Sequence, residues 1–138
     1  MAINEKQWQK ETRKFHRDAL KVIDSARDKV IVYNPGLVSD VFQDGQIAEA
    51  IKRAKARDIK ITILVQRSNS ANIEAFLAQF GEDVVFVEED LDRHAYVISD
   101  IGYVKFLKRA TCVESIYIQE GDVGSIIKTI TEELRRAN

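Results

Sequence analysis

Apolar residues recur at helical spacing near the N-terminus and then in short unbroken runs. Trp8, Phe15, Ala19, Val22, Ile23 and Ala26 fall near one helical face, with Lys and Arg filling the positions between. This predicts an amphipathic helix from about residue 4 to 27, within an N-terminal helical region 1–27. Lys29-Val30-Ile31-Val32-Tyr33 reads as a short buried strand rich in β-branched residues, stopped by Asn34-Pro35-Gly36. Asp44 can cap a second helix with Ile47, Ala48, Ala50, Ile51 and Ala54 facing inward. A second strand, Lys60 to Val65, follows. Ser70 is the expected cap of a third helix that places Ile73, Phe76, Leu77 and Phe80 inside and ends at Gly81. Asp83 to Val87 is a third strand.

Short apolar strands alternating with helices imply a parallel sheet covered on both faces, with right-handed crossovers. Beyond residue 90 the pattern changes. Arg93 to Ser99 and Tyr103 to Leu107 flank Asp100-Ile101-Gly102 as a hairpin, and Val113 to Gln119 forms another strand. Asp122 opens a closing helix over 121–136, with Val123, Ile126, Ile127, Ile130 and Leu134 on one face. No linker, repeat or low-complexity tract interrupts the chain, so 1–138 reads as one α/β domain: a mixed, mainly parallel sheet with helices on both faces.

Composition changes this picture little. The chain is 45% hydrophobic and 31% charged, within the range of ordinary globular domains. A single cysteine, Cys112, leaves no intramolecular disulfide to form. No apolar run reaches the length of a membrane span, and Met1 to Lys6 lacks a signal-peptide core, so a cytoplasmic domain without membrane contact is expected. The net charge of −1 carries no global basic footprint for nucleic acid. Residues 52–60 are locally basic and residues 82–92 locally acidic, a distribution usual for solvated helix faces and loops.

Most catalytic signatures are absent: there is no phosphate-binding Walker loop, GxGxxG, GxSxG or paired Cys/His spacing. With two histidines and one cysteine, neither a metal site nor a cofactor is expected. His16, between Phe15 and Arg17, reads as a solvated surface histidine. His94 differs, because it starts a strand in which His94, Tyr96 and Ile98 share one face and Ala95, Val97 and Ser99 the other. A histidine beside a phenol can line a cleft; the alternative is a half-exposed histidine pairing with Asp90 or Asp92.

The order of elements and His94 together resemble the phospholipase D-like superfamily over nearly the whole chain. Ala26 to Tyr33 resembles that family's first helix-to-strand passage, Ile47 to Val65 the helix and strand that follow, and Glu114 to Gln119 its closing strand. The resemblance implies a His-x-Lys motif with Asp seven residues after the histidine, where Asp100 stands six after His94. The histidine attacks phosphorus and the lysine neutralises the phosphate oxygens, with a second half-domain supplying the general acid. It therefore also implies a homodimer. His94 matches the nucleophile. Tyr96, however, stands at the lysine position, Asp100 falls one residue early, and Gly102-Tyr103-Val104-Lys105-Phe106 replaces the family's Gly-Ser-x-Asn element. Lys105, on the neighbouring hairpin strand, is the candidate substitute cation. The reading is a phospholipase D-like domain with a degenerate motif, kept for binding or regulation toward nucleic acid or another phosphate-containing ligand. The alternatives are a divergent metal-independent phosphodiesterase or nuclease acting as a homodimer through His94, and a protein–protein interaction module.

Overall fold

A computed structural model describes residues 3–87, 94–109, 112–118 and Lys128. Helix α1 spans Glu5–Asp24, its start fixed by Asn4, whose side-chain oxygen accepts from the backbone N–H groups of Lys6 and Gln7. The helix ends three residues earlier than the periodicity predicts, at Asp24 and not at residue 27. The backbone N–H groups of Arg27, Asp28 and Lys29 turn out of the helix to the carboxylate of Asp100, so Ala26 is buried outside it. Strand β1 (Lys29–Tyr33) follows. A 3₁₀ turn over Pro35–Val38 leads into a short helix α2 (Ser39–Gln43) that periodicity did not reveal, because its five residues carry too few apolar repeats to define a face. Gly45, at φ +88°, breaks the chain between α2 and α3 (Gln46–Ala56), a backbone region that disfavours any side chain. Asp44 lies one residue earlier than the N-cap position, yet its Oδ1 still accepts from the Gln46 N–H.

Strand β2 (Lys60–Gln66) runs parallel to β1. The third helix is mostly 3₁₀ (Arg67–Ile73), with α4 limited to Glu74–Ala78. Ser70 does not cap it; its hydroxyl donates backward to the Arg67 carbonyl. The four expected apolar residues, Ile73, Phe76, Leu77 and Phe80, are nonetheless buried. After a 3₁₀ turn at Gly81–Asp83 come β3 (Val84–Val87), β4 (His94–Ser99), β5 (Gly102–Lys108) and β6 (Val113–Ile118). The predicted closing helix, 121–136, falls outside the described residues but for Lys128.

The six strands form one sheet in the order β3-β2-β1-β4-β5-β6. Two neighbouring pairs are parallel and three antiparallel, so the α/β fold is mixed and not mainly parallel. The excess of antiparallel pairs comes from β4, which enters beside β1 in the opposite direction and begins a meander. One face of the sheet carries the main core. Val30, Val32, Ile61, Ile63, Val65, Ala95, Val97, Val104 and Phe106 pack there beneath α1 and α3. Aromatic rings run through this layer in contact: Trp8 on Phe106, Phe106 on Phe15, Phe15 on Phe42, Phe42 on Phe76 and Phe76 on Phe80. The opposite face carries a smaller cluster of Tyr33, Ile98, Ile31, Leu64, Val87, Tyr96 and Tyr103, to which no described helix contributes.

The two sheet edges differ. At β6 the buried carboxylate of Glu11 in α1 accepts from the Ser115 N–H at 3.2 Å, so the helix takes up one of the edge donors. At β3, Val85 and Phe86 are 48% and 42% exposed, and the strand is less buried than its apolar sequence predicts because it ends the sheet.

Two consequences can be measured. Phe106→Ala removes the ring joining Trp8 to Phe15 and is expected to cost about 3–5 kcal/mol in urea unfolding, with Phe106→Leu well below that. Asp100→Ala leaves the three N–H groups of Arg27, Asp28 and Lys29 without their carboxylate and is expected to cost about 1–2 kcal/mol at pH 7, Asp100→Asn less. Burial alone would raise the Asp100 pKa, but the backbone donors, Arg27 and Asp28 foremost, outweigh it and hold the carboxyl below its ordinary 3.8. A depressed folded-state pKa contributes stability above the unfolded value, which is lost as pH falls through that value toward the folded one. The gap between wild type and Asp100→Asn in urea midpoint should therefore shrink as pH is lowered from 5 toward 2, and a constant gap would remove the carboxylate's charge from this account.

Candidate functional site

Strand alternation on β4 sends Ala95 and Val97 into the core and leaves His94, Tyr96 and Ile98 on the opposite face. The pairing of β4 with its neighbours builds the site from there. Tyr96 lies directly between Tyr33 of β1 and Lys105 of β5, so these three side chains form one row across the sheet. The Tyr33 ring meets Tyr96 edge-on at 5.4 Å, and Tyr103 packs against Tyr96 at 6.4 Å. The rings of His94 and Tyr96 are nearly parallel, 21° apart, with centroids 6.3 Å apart. The Lys105 ammonium sits 5.6 Å from the centre of the Tyr96 ring, a cation–π placement. His94, Tyr96 and Lys105 are all partly exposed.

Three of the four residues singled out in the sequence thus come together. The fourth, Asp100, does not join them. It follows β4 at the end opposite His94, about 20 Å along the strand at ~3.3 Å per residue, where it holds the turn between α1 and β1. The acidic partners considered for His94, Asp90 and Asp92, lie outside the described residues.

Asn34 is the site residue that sequence reasoning passed over, reading it only as part of a strand stop. It is fully buried in a left-handed conformation, φ 55°, and its Nδ2 donates to the His94 carbonyl at 2.9 Å. Its own backbone N–H donates to the Leu64 carbonyl at 2.8 Å. Asn34 therefore ties the end of β1 to β2 and to the first residue of β4, and fixes where His94 leaves the sheet. The available signal was chemical: asparagine tolerates the left-handed region better than most residues and carries both donor and acceptor.

His16 departs from its reading as a solvated residue. Its side chain is 20% exposed and its Nε2 lies 3.1 Å from Asp44 Oδ2, near a hollow lined in part by Leu20, Asp44, Glu49 and Arg53. The 3.1 Å contact brings the two groups together without the alignment of a hydrogen bond, since Nε2 has no hydrogen-bond partner. Among the described residues no group of three or more His, Cys, Asp or Glu side chains is placed to hold a metal ion, and no helix is long and apolar enough to cross a membrane.

No family model matches the sequence, and no curated protein does. Solved structures do match in fold. One is TrmBL2, an archaeal chromatin protein whose structure shows a novel mode of DNA binding, at a TM-score of 0.58 and 13% identity. That match covers 91% of this chain and 46% of TrmBL2, so the chain spans about half the length of that protein. Another is Nuc from Salmonella typhimurium, a member of the phospholipase D family, at a TM-score of 0.55 and 18% identity over 86% of this chain and 83% of Nuc. The architecture resembled by the sequence is therefore present: the chain has a phospholipase D-like α/β fold.

Proposed function

We propose that this domain binds a phosphate-bearing polymer, nucleic acid, at the His94–Tyr96–Lys105 end of the sheet, and binds it without hydrolysing it. The observation that carries the reading is the row Tyr33–Tyr96–Lys105. A tyrosine occupies the place where the resembled motif has a lysine. It supplies a hydrogen-bond donor and a stacking face but no positive charge at neutral pH. The cation stands one strand away, about 5 Å to the side, over the tyrosine ring. An aromatic face with an adjacent ammonium suits a base and its phosphate. It is poorly suited to a transferring phosphoryl group, for which a misplaced charge forfeits much of the transition-state stabilisation. Asp100 is committed to the α1–β1 turn, which further separates the motif from its catalytic arrangement. The fold shared with TrmBL2, a chromatin protein that binds DNA, agrees with a nucleic-acid partner. A homodimer would bring two such sites together, as the phospholipase D resemblance implies.

The alternative, a phosphodiesterase with His94 as nucleophile, draws on the same partly exposed histidine with a lysine nearby on its face of the sheet, and one set of measurements separates the two. Fluorescence anisotropy with labelled single-stranded and duplex DNA and RNA should show saturable binding. Lys105→Gln is expected to weaken it about tenfold, as loss of a single charged contact does, and to lower the salt dependence by about one unit of slope. Bis(p-nitrophenyl) phosphate should remain uncleaved with and without chelator. Cleavage abolished in His94→Ala would transfer the assignment to the phosphodiesterase, and absence of binding to every nucleic acid would leave only a protein-interaction role.

A further inference from the structure

A second cation–aromatic pair stands at the same end of the sheet as Lys105 and Tyr96. Arg67, the first residue beyond β2, holds its guanidinium carbon 4.6 Å from the centre of the Phe86 ring on the edge strand β3. Tyr33 ends β1, Phe86 is the last residue but one of β3, and His94 opens β4. Both pairs therefore sit at the carboxyl ends of the parallel strands, where open α/β folds hold ligands. Phe86 remains 42% exposed under the arginine, and no other aromatic residue among those described is as open. Edge protection does not account for the ring, since a charged side chain or a proline guards an edge without exposing aromatic surface. A third pair, Lys21 over Tyr117, belongs to the packing of α1 on β6, and its tyrosine hydroxyl is shut from solvent.

We infer, on the reading of the Tyr96–Lys105 row as a nucleic-acid site, that Phe86 and Arg67 form a second nucleotide subsite and that the ligand is single-stranded. Two features select a single strand. An exposed ring takes up a base by its flat face, and the bases of a duplex are already stacked on one another. The two subsites also face different ways. Phe86 lies opposite Val65, a core residue, and so leaves β3 on the side packed by the helices, whereas Tyr96 leaves β4 on the other side. They stand three strand intervals apart, from β4 through β1 and β2 to β3, about 14 Å at ~4.8 Å per interval. A polynucleotide that occupies both must turn over the end of the sheet within that distance. A duplex, stiff over about 50 nm, does not make such a turn, and a single strand does. About five nucleotides cover the interval even at a stacked rise of ~3.4 Å per step, whereas a dinucleotide, with its single step, occupies one subsite. Arginine suits the outer position because its planar guanidinium stacks on a ring and still donates to a phosphate from its edge.

Fluorescence anisotropy at one fixed salt concentration tests this with oligothymidylates of two and eight nucleotides and with a blunt DNA duplex. Wild-type protein should bind the octamer at least tenfold more tightly than either the dinucleotide or the duplex. Phe86→Leu keeps apolar bulk but removes the aromatic face, and should cut the octamer's advantage over the dinucleotide about tenfold, as loss of one stacked base does. Arg67→Gln should reduce the same advantage. If Lys105→Gln weakens binding while Phe86→Leu and Arg67→Gln leave that advantage intact, the second subsite is overturned and the reading of the Tyr96–Lys105 row stands. A duplex bound as tightly as the octamer overturns the single-strand assignment in the same way. Absence of binding to every nucleic acid overturns both. Light scattering on the same proteins covers the other use of an exposed edge. A dimer that Phe86→Leu dissociates, with octamer affinity unchanged, would make β3 a pairing edge between copies and overturn the subsite. Should Phe86→Leu fail to fold, Arg67→Gln, at an exposed position, still decides.

Discussion

Val97 sits opposite Val32 where β4 runs antiparallel to β1, and both side chains are fully buried on the face packed by α1. That pairing constrains the rest. A strand has a side-chain period of two, so committing Ala95 and Val97 to the core obliges His94, Tyr96 and Ile98 to leave by the other face. A slip of one residue would bury a histidine among Phe15, Phe42 and Phe106 and expose two apolar residues. The same register sets Tyr96 between Tyr33 and Lys105 and brings Asp100 beyond the strand end, within reach of the α1–β1 turn. The core thus orders the site without any residue of the site contributing to it.

Polar groups then lock what the apolar pattern leaves free. Asp100 gathers three backbone donors from a segment more than seventy residues earlier in the chain, and Glu11 receives the Ser115 N–H from more than a hundred residues later. Both are carboxylates accepting from backbone amides, a stronger arrangement than a neutral acceptor provides. Lys55, bridging to Asp83 at 2.6 Å and to Glu82, joins α3 to the turn before β3; its hydrogen bond to Asp83 raises its pKa above the ordinary value. This pair lies near the surface, where solvent screening keeps its net contribution small. The carboxylates at Asp100 and Glu11 carry more, because removing them strands peptide groups that have turned away from other partners.

The elements whose identity rests on local repeats were legible in the sequence: α1, β1, the inward face of α3, β2 and the β4–β5 hairpin. Boundaries failed where a distant residue decided them. Nothing near Ser25 shows that the next N–H groups belong to Asp100, so the helix seemed to continue to residue 27. The stretch from Pro35 to Gln43 offered no usable period, and Ser70 looked like a cap because its type suits one, whereas its hydroxyl turned to a carbonyl. The sheet's direction was misjudged for a related reason: apolar runs alternating with helices describe β1 to β3 well, but a strand's periodicity is silent on whether its neighbour runs with it or against it. At the site, the alternation of β4 located His94 and Tyr96 on one face, while Asn34 stayed hidden because its partner is a backbone carbonyl sixty residues away.

In the proposed site the positive charge of Lys105 stands one strand away from Tyr96, and this has a simple geometric meaning. A lysine on β4 beside His94 would project from the same backbone as the histidine, and both would approach a phosphate from one side. Lys105 instead rises from β5 and reaches across the Tyr96 ring. Its four-carbon stem is long enough to cross one strand interval, so its charge can meet a phosphate that rests on the tyrosine. To do so it gives up its position over the ring, worth about 0.5–1 kcal/mol at a partly exposed site. A bound base that stacks on Tyr96 would take the ring face that the ammonium vacates. Stacking and charge are therefore linked at this position: each is available to a ligand that brings both a planar ring and a phosphate, and neither requires the phosphate to be attacked. On the reading proposed above, the row Tyr33–Tyr96–Lys105 would hold such a ligand and not attack it.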